Sequence, residues 1–113
     1  MTARLTSAIL VNALVRRADQ SGGSAMVLAK GDPSAGAILL LTMEKGRNLR
    51  FFERGIGSDG EAALIPSGPA ALESDNAATD YWKRRRERDS DLWVIELDIA
   101  QAERFAAETM GFH

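Results

Sequence analysis

The sequence predicts an α+β fold, with an antiparallel, meander-type sheet of four to five strands packed against three helices. Three stretches place apolar residues at the spacing of a helix, and the strand-like stretches are clustered instead of alternating strictly with helices. Short glycine-bearing connections favour antiparallel neighbours, because parallel pairing needs a longer crossover. The predicted order is α-β-β-β-(β)-α-β-α, in a single domain over residues 1–113.

The first helix is predicted over residues 6–20, where apolar side chains form one stripe. Thr6 or Ser7 can cap its first turn through a side-chain oxygen. Gly22 and Gly23 follow the last turn and can take the left-handed conformation that ends a helix.

Hairpin-linked strands are predicted over residues 25–30, 37–43 and 48–54. The middle strand is apolar on both faces, so we expect it to be covered on both sides. The third strand carries Arg50, Phe52 and Arg54 on one face, which predicts a half-wet surface. A short fourth strand is predicted over residues 61–66.

The second half contains two helices around a strand. A helix is predicted over residues 75–88 with Ser74 or Asp75 as its cap. Residues 91–98 are apolar on both faces, which predicts a strand inside the sheet. The final helix is predicted between Asp98 as the N-terminal cap, with Gln101 completing a capping box, and Gly111.

Composition excludes several kinds of chemistry. The 113 residues include no cysteine, which removes disulfides, thiolate nucleophiles and cysteine-bound metals. His113 is the one histidine, so a single chain cannot assemble a serine–histidine pair or a two-histidine metal site. We therefore expect no catalytic set, no metal and no cofactor.

The N-terminus shows no signal-peptide pattern, which predicts a cytoplasmic protein. The longest apolar run, residues 35–41, is too short to cross a bilayer. A net charge of −2 gives no overall attraction for nucleic acid or anionic membrane.

Residues 55–60 match G-x-G-x-x-G, but no helix is predicted to follow, so we interpret them as a turn instead of a dinucleotide site. The basic run 83–88 ends a helix, where positive charge is favourable. A solvated helix end is the favoured interpretation. Nucleic-acid binding remains an alternative, with candidate residues Lys83, Arg84, Arg85, Arg86 and Arg88.

The loop of residues 30–36 is a third candidate, because Asp32 before Pro33 can bond backbone amides. A structural turn is favoured over an anion contact. Arg16 and Arg17 could join Lys30 in a positive corner or could complement the helix dipole.

The pattern formed by Arg16-Arg17, Lys30-Gly31-Asp32, Ala35-Gly36 and residues 89–96 resembles a set of short, uncharacterised alphaproteobacterial proteins, the domain of unknown function family 1491. The resemblance covers nearly the whole chain and departs at Ser90, where the family tends to have proline. It implies a bacterial origin and no activity. It singles out a polar set that forms either a ligand site or a structural network: Arg16, Arg17, Lys30, Asp32, Asp91, Trp93 and Glu96.

The sequence therefore predicts a non-catalytic binding or adaptor domain for a protein partner or a small anionic ligand, with a homodimer left open. One alternative is a small enzyme that uses Asp32, Asp91 or Glu96 as acid or base. Nucleic-acid binding through the basic helix end is the other alternative.

Overall fold

The computed structural model describes residues 5–70 and 72–112, and its elements follow the predicted order. His113 lies outside the described residues. The elements are α1 (Ser7–Gln20), β1 (Ser24–Ala29), β2 (Ile38–Glu44), β3 (Arg47–Ile56), β4 (Ala62–Ser67), α2 (Asp75–Arg88), β5 (Trp93–Asp98) and α3 (Ala102–Thr109).

The sheet has five strands in the order β1-β5-β2-β3-β4, so the α+β class is confirmed. β5 runs antiparallel to β1 and parallel to β2, which makes the sheet mixed. The predicted hairpin between β1 and β2 is wrong, since β5 lies between these strands. β5 is mostly buried and lies inside the sheet, as its apolar residues on both faces predicted.

The sheet buries a core on each face. On one face, α1 and α3 cover the side chains of Ile38, Leu40, Phe52, Trp93, Ile95 and Leu97. On the other face, α2 covers Leu39, Leu41, Phe51, Leu92 and Val94. β2 and β5 each contribute side chains to both cores, because successive residues of a strand point to opposite faces of the sheet.

The ends of α1 and α2 are confirmed. Thr6 accepts a hydrogen bond from the Ile9 amide at 3.3 Å, and Ser74 accepts one from the Ala77 amide at 3.1 Å. Gly22, with a φ of 84°, lies two residues after the end of α1, and Gly111, with a φ of 83°, lies two residues after the end of α3. Each capping residue or glycine lies within a few positions of the helix end that it determines, so these ends can be predicted from the sequence.

The predicted capping box of α3 is wrong. The helix is preceded by Gln101, which has a φ of 52° and makes no side-chain capping bond. Asp98 instead accepts hydrogen bonds from the amides of Lys45, at 2.7 Å, and Gly46, at 3.0 Å, in the β2–β3 turn. The carboxylate satisfies turn amides that have no strand partner, and this binds two distant segments together.

Residues 55–60 run from the end of β3 into the β3–β4 turn, in agreement with the turn interpretation. The Gly57 amide bonds to the Glu61 carbonyl at 2.8 Å, and Asp59 accepts from the Glu61 amide at 3.0 Å. The chain continues into β4 instead of a helix.

Candidate functional site

A cleft of about 600 Å³ lies between the start of α1 and the end of α3, on the face of the sheet that these helices cover. We call it the α1–α3 cleft. Apolar side chains form most of its wall: Leu5, Leu10, Ile38, Ala62, Met110 and Phe112. Leu5 is 56 % exposed at the rim, so the apolar surface continues out to solvent.

One guanidinium, that of Arg54, lines this cleft among the residues described. Arg54 is exposed, and its guanidinium carbon lies 5.8 Å from the centre of the Phe112 ring. The described residues give Arg54 no carboxylate partner. A cation on an aromatic ring inside an apolar cleft can bind an anionic group.

Two other polar side chains of the cleft, those of Ser7 and Glu53, have internal partners. Ser7 donates its hydroxyl to the Gly36 carbonyl at 2.5 Å. Glu53 also contributes to the wall, but its carboxylate is bound by Arg85 of α2, on the opposite face of the sheet. No acid–base pair therefore converges in the cleft within residues 5–70 and 72–112.

A second, smaller cleft of about 320 Å³ lies between the β2–β3 turn and the start of α3. Its wall is mostly polar or charged, with Asn48, Arg50, Gln101, Glu103 and Arg104. The φ angles of Asn48 and Gln101 are 59° and 52°, which non-glycine residues adopt at some cost. Acidic and basic groups are mixed around it, so its charge favours no one class of ligand.

A half-buried polar cluster joins α2 to β3 and β4. The guanidinium of Arg85 donates to both carboxylate oxygens of Glu53, at 2.7 and 3.1 Å, and to the Tyr81 hydroxyl at 3.0 Å. Ser67 donates a short hydrogen bond to Glu53 and lies 3.2 Å from the Tyr81 hydroxyl. We call these four residues the α2 brace.

The charges of the α2 brace stabilise each other. The hydrogen bond from Arg85 lowers the pKa of Glu53, against the opposing effect of burial. The same bond raises the pKa of Arg85. No buried polar side-chain atom among the described residues lacks a partner, and the groups of this cluster bind one another, so we interpret it as a structural support.

The predicted polar corner forms only in part, around the loop of residues 30–36. Trp93 donates its indole N–H to the Asp32 carbonyl at 2.7 Å, and the Asp32 amide donates to the Asp91 carbonyl at 3.0 Å. The Asp32 carboxylate accepts from the Ala35 amide at 2.9 Å. Backbone groups make most of these contacts, and Trp93 is buried. This arrangement matches the structural-network interpretation.

The remaining members of the predicted set lie apart. Arg17 donates to the Thr109 hydroxyl of α3 at 2.6 Å, and Arg16 is exposed on the same end of α1. Glu96 lies in the middle of β5 beside Met26 and Leu41, on the face that α2 covers. None of the seven predicted residues lines either of these two clefts.

Two of the five basic residues at the end of α2 are held by contacts within the fold. Arg86 donates to the carbonyls of Lys30, Ser90 and Leu92, at 3.2, 2.5 and 2.9 Å. Arg85 belongs to the α2 brace. Exposed positions remain for three of the five nucleic-acid candidates: Lys83, Arg84 and Arg88.

The sequence signal for the α1–α3 cleft was weak. The sequence predicts only that Arg54 lies on a half-wet strand face. An arginine two residues after buried Phe52 on the same face was the available clue. Phe112, near the end of the chain, has no periodic pattern around it that could predict its role.

No group of acidic or histidine side chains in the described part of the chain could hold a metal ion. Among the same residues, no helix is both long enough and apolar enough to span a bilayer.

Comparison with known proteins identifies relatives over almost the whole chain. A family model described as protein of unknown function (DUF1491) matches residues 5–107. The chain is similar to a DUF1491 family protein from Caulobacter crescentus CB15, solved by NMR, with 30 % identity, a TM-score of 0.74 and coverage of 92 % of this chain and 94 % of that one.

Two further structures are similar. A crystal structure of a DUF1491 family protein from the same Caulobacter strain has 31 % identity and a TM-score of 0.73, covering 90 % of this chain and 94 % of that one. The solution structure of protein Atu0922 from A. tumefaciens has 29 % identity and a TM-score of 0.64, with coverages of 86 % and 87 %. No curated protein matches the chain significantly.

Proposed function

This chain belongs to the DUF1491 family, and we propose that it is a non-catalytic binding domain whose α1–α3 cleft holds an amphipathic anion. The ligand has an apolar body, which lies in the cleft, and an acidic group, which binds Arg54. The observation that carries this proposal is the pairing of a mostly apolar cleft with one guanidinium on its wall.

Size and lining support the proposal. Ligand pockets have volumes of roughly 300–1,000 Å³ and combine apolar walls with a few placed polar groups. The cleft has about 600 Å³. Burial of an apolar body supplies the free energy of binding, and the guanidinium selects an acidic end.

The same geometry favours binding over catalysis. The Ser7 hydroxyl and the Glu53 carboxylate, which could act as nucleophile and base, are both held by internal partners. The acid–base alternative needs at least two of Asp32, Asp91 and Glu96 in one pocket, and none of them lines either cleft.

The test is calorimetric titration with decanoate, using decanol and decylamine as neutral and cationic analogues. We expect decanoate to bind, and Arg54→Gln to weaken it by about tenfold, the equivalent of one charge-assisted hydrogen bond. Ala62→Trp should abolish binding because the indole fills the cleft.

Arg50→Gln is the matched control, since Arg50 lies on the same face of β3 but lines the smaller cleft. A second probe is a peptide that ends in leucine, with either a free carboxylate or an amide at its C-terminus. Binding of the carboxylate form alone would show that the C-terminus of a protein can be the amphipathic anion. The proposal fails if neither probe binds, or if the two arginine variants weaken binding equally.

A further inference from the structure

The outer edge of β1 has no strand partner within the described part of the chain. β1 is the first strand of the sheet order, with β5 on its inner side. Its six residues include no charge and no proline, and Met26 and Val27 are 59 % and 41 % exposed. Strand edges normally carry charges or proline, which prevent association with other strands.

The opposite edge of the sheet differs. β4 contains Pro66, which cannot donate a hydrogen bond to a further strand. On β1, a register shift between Val27 and Ala29 leaves the preceding part, from Ser24, in regular pairing. A second strand along this edge therefore follows regular geometry over residues 24–27 and passes the shift between Val27 and Ala29.

One side of α1 continues this edge surface. Arg17 contacts Thr109 and Phe105, which places α3 on one side of α1, toward the centre of the sheet. The helical period puts another set of residues on the opposite side, above β1. That set is Ala8, Asn12, Val15 and Asp19.

We propose that β1 and α1 form a homodimer interface, in which β1 pairs antiparallel with β1 of a second copy. The two-fold axis is perpendicular to the sheet, so α1 lies beside α1 of the second copy. α1 packs on β1 and β5, and two strand spacings of about 4.8 Å separate the helices by roughly 10 Å, which is a normal helix-packing distance.

Side-chain chemistry favours a second copy as the partner. Antiparallel pairing centred near Val27 brings Val27 and Val15 of the two copies together under the helices. It also places Lys30 of one copy beside the end of α1 in the other, where Asp19 is exposed. The two-fold axis repeats this pair of opposite charges, so the same attraction occurs at both ends of the paired strands.

The test is sedimentation velocity over a concentration series. Wild-type protein should sediment at twice the 12.2 kDa mass of the chain. Asp19→Lys, which places two positive charges together at both ends, should raise the dimer dissociation constant by about tenfold. The double variant Asp19→Lys with Lys30→Asp should restore the dimer.

Glu61→Lys is the control, because it makes the same charge change at the other edge of the sheet. It should leave the dissociation constant unchanged. The chain has no cysteine, so Val27→Cys should form a disulfide-linked dimer on mild oxidation, whereas Ser58→Cys should not. A monomer at all concentrations, or failure of the double variant to restore the dimer, would overturn the proposal.

Discussion

At the scale of single residues, Gly31 and Gly36 show why the loop after β1 is tightly determined. A β-carbon on either residue would lie 2.2 Å from the Asp91 carbonyl oxygen. The Asp32 amide donates to this same oxygen, and the loop carbonyls of Pro33 and Ser34 accept from the first amides of α1. The loop therefore joins the segment before β5 to α1 through backbone groups, and there is no room for a side chain at Gly31 or Gly36.

We expect Gly31→Ala and Gly36→Ala each to lower the free energy of unfolding by about 3 kcal/mol, since the backbone must move to admit a methyl group. Urea denaturation measures this change. Gly57→Ala is the control, because the nearest atom to its added β-carbon is a side-chain oxygen of Asp59 at 3.2 Å, and no backbone atom lies closer than 3.5 Å. Equal losses for all three variants would contradict the role of close packing.

At the scale of elements, α2 is attached to its face of the sheet by aromatic packing and by the α2 brace. The rings of Phe51 and Tyr81 have centroids 4.7 Å apart. Glu53 and Arg85 form a bidentate pair whose side chains are each 28 % exposed. The helix contributes Ala78 as its one buried residue, so these contacts determine where it lies.

Glu53→Gln should reduce the free energy of unfolding by about 2 kcal/mol at neutral pH, because Arg85 loses its charged partner. The pKa of Glu53 is lower in the folded protein than its ordinary value of 4.5. The stabilisation that the ionised Glu53 carboxylate provides is therefore complete above a pH of 4.5, and it is lost as pH falls through the folded pKa. Wild type and variant should converge in stability as pH falls below the folded pKa of Glu53.

The control for this pH series is the exposed pair Arg104–Glu108, with side chains 76 % and 56 % exposed. Glu108→Gln should change the unfolding free energy by less than about 0.5 kcal/mol at any pH. A stability difference for Glu53→Gln that does not vary with pH would show that the carboxylate charge is unimportant.

At the scale of the whole molecule, β5 decides the topology. It lies between β1 and β2, although it follows them in the chain by two strands and a helix. Leu92 and Val94 join one core, and Trp93, Ile95 and Leu97 join the other. Both faces of the sheet therefore depend on a strand near the end of the chain.

A fragment of residues 1–90 should fail to fold, because β1 loses its one strand partner in the described sheet and both cores lose their central side chains. Circular dichroism should show no cooperative urea transition. The full-length chain is the control. A cooperative transition in the fragment would instead support the continuous meander that the sequence predicted.

Features that depend on nearby residues could be predicted from the sequence. These are the order and approximate bounds of the elements, the caps of α1 and α2, the β3–β4 turn and the burial of Trp93. Each feature depends either on residues within a few positions or on which face of an element is apolar. The order of apolar and polar residues in the sequence shows both.

Only the tertiary structure decided which apolar faces meet. It placed β5 between β1 and β2, gave Asp98 to the β2–β3 turn and paired Glu53 with Arg85. The α1–α3 cleft likewise combines the two ends of the chain with the middle of the sheet. An apolar pattern states that a surface is buried and leaves its partner open, because hydrophobic burial is non-directional.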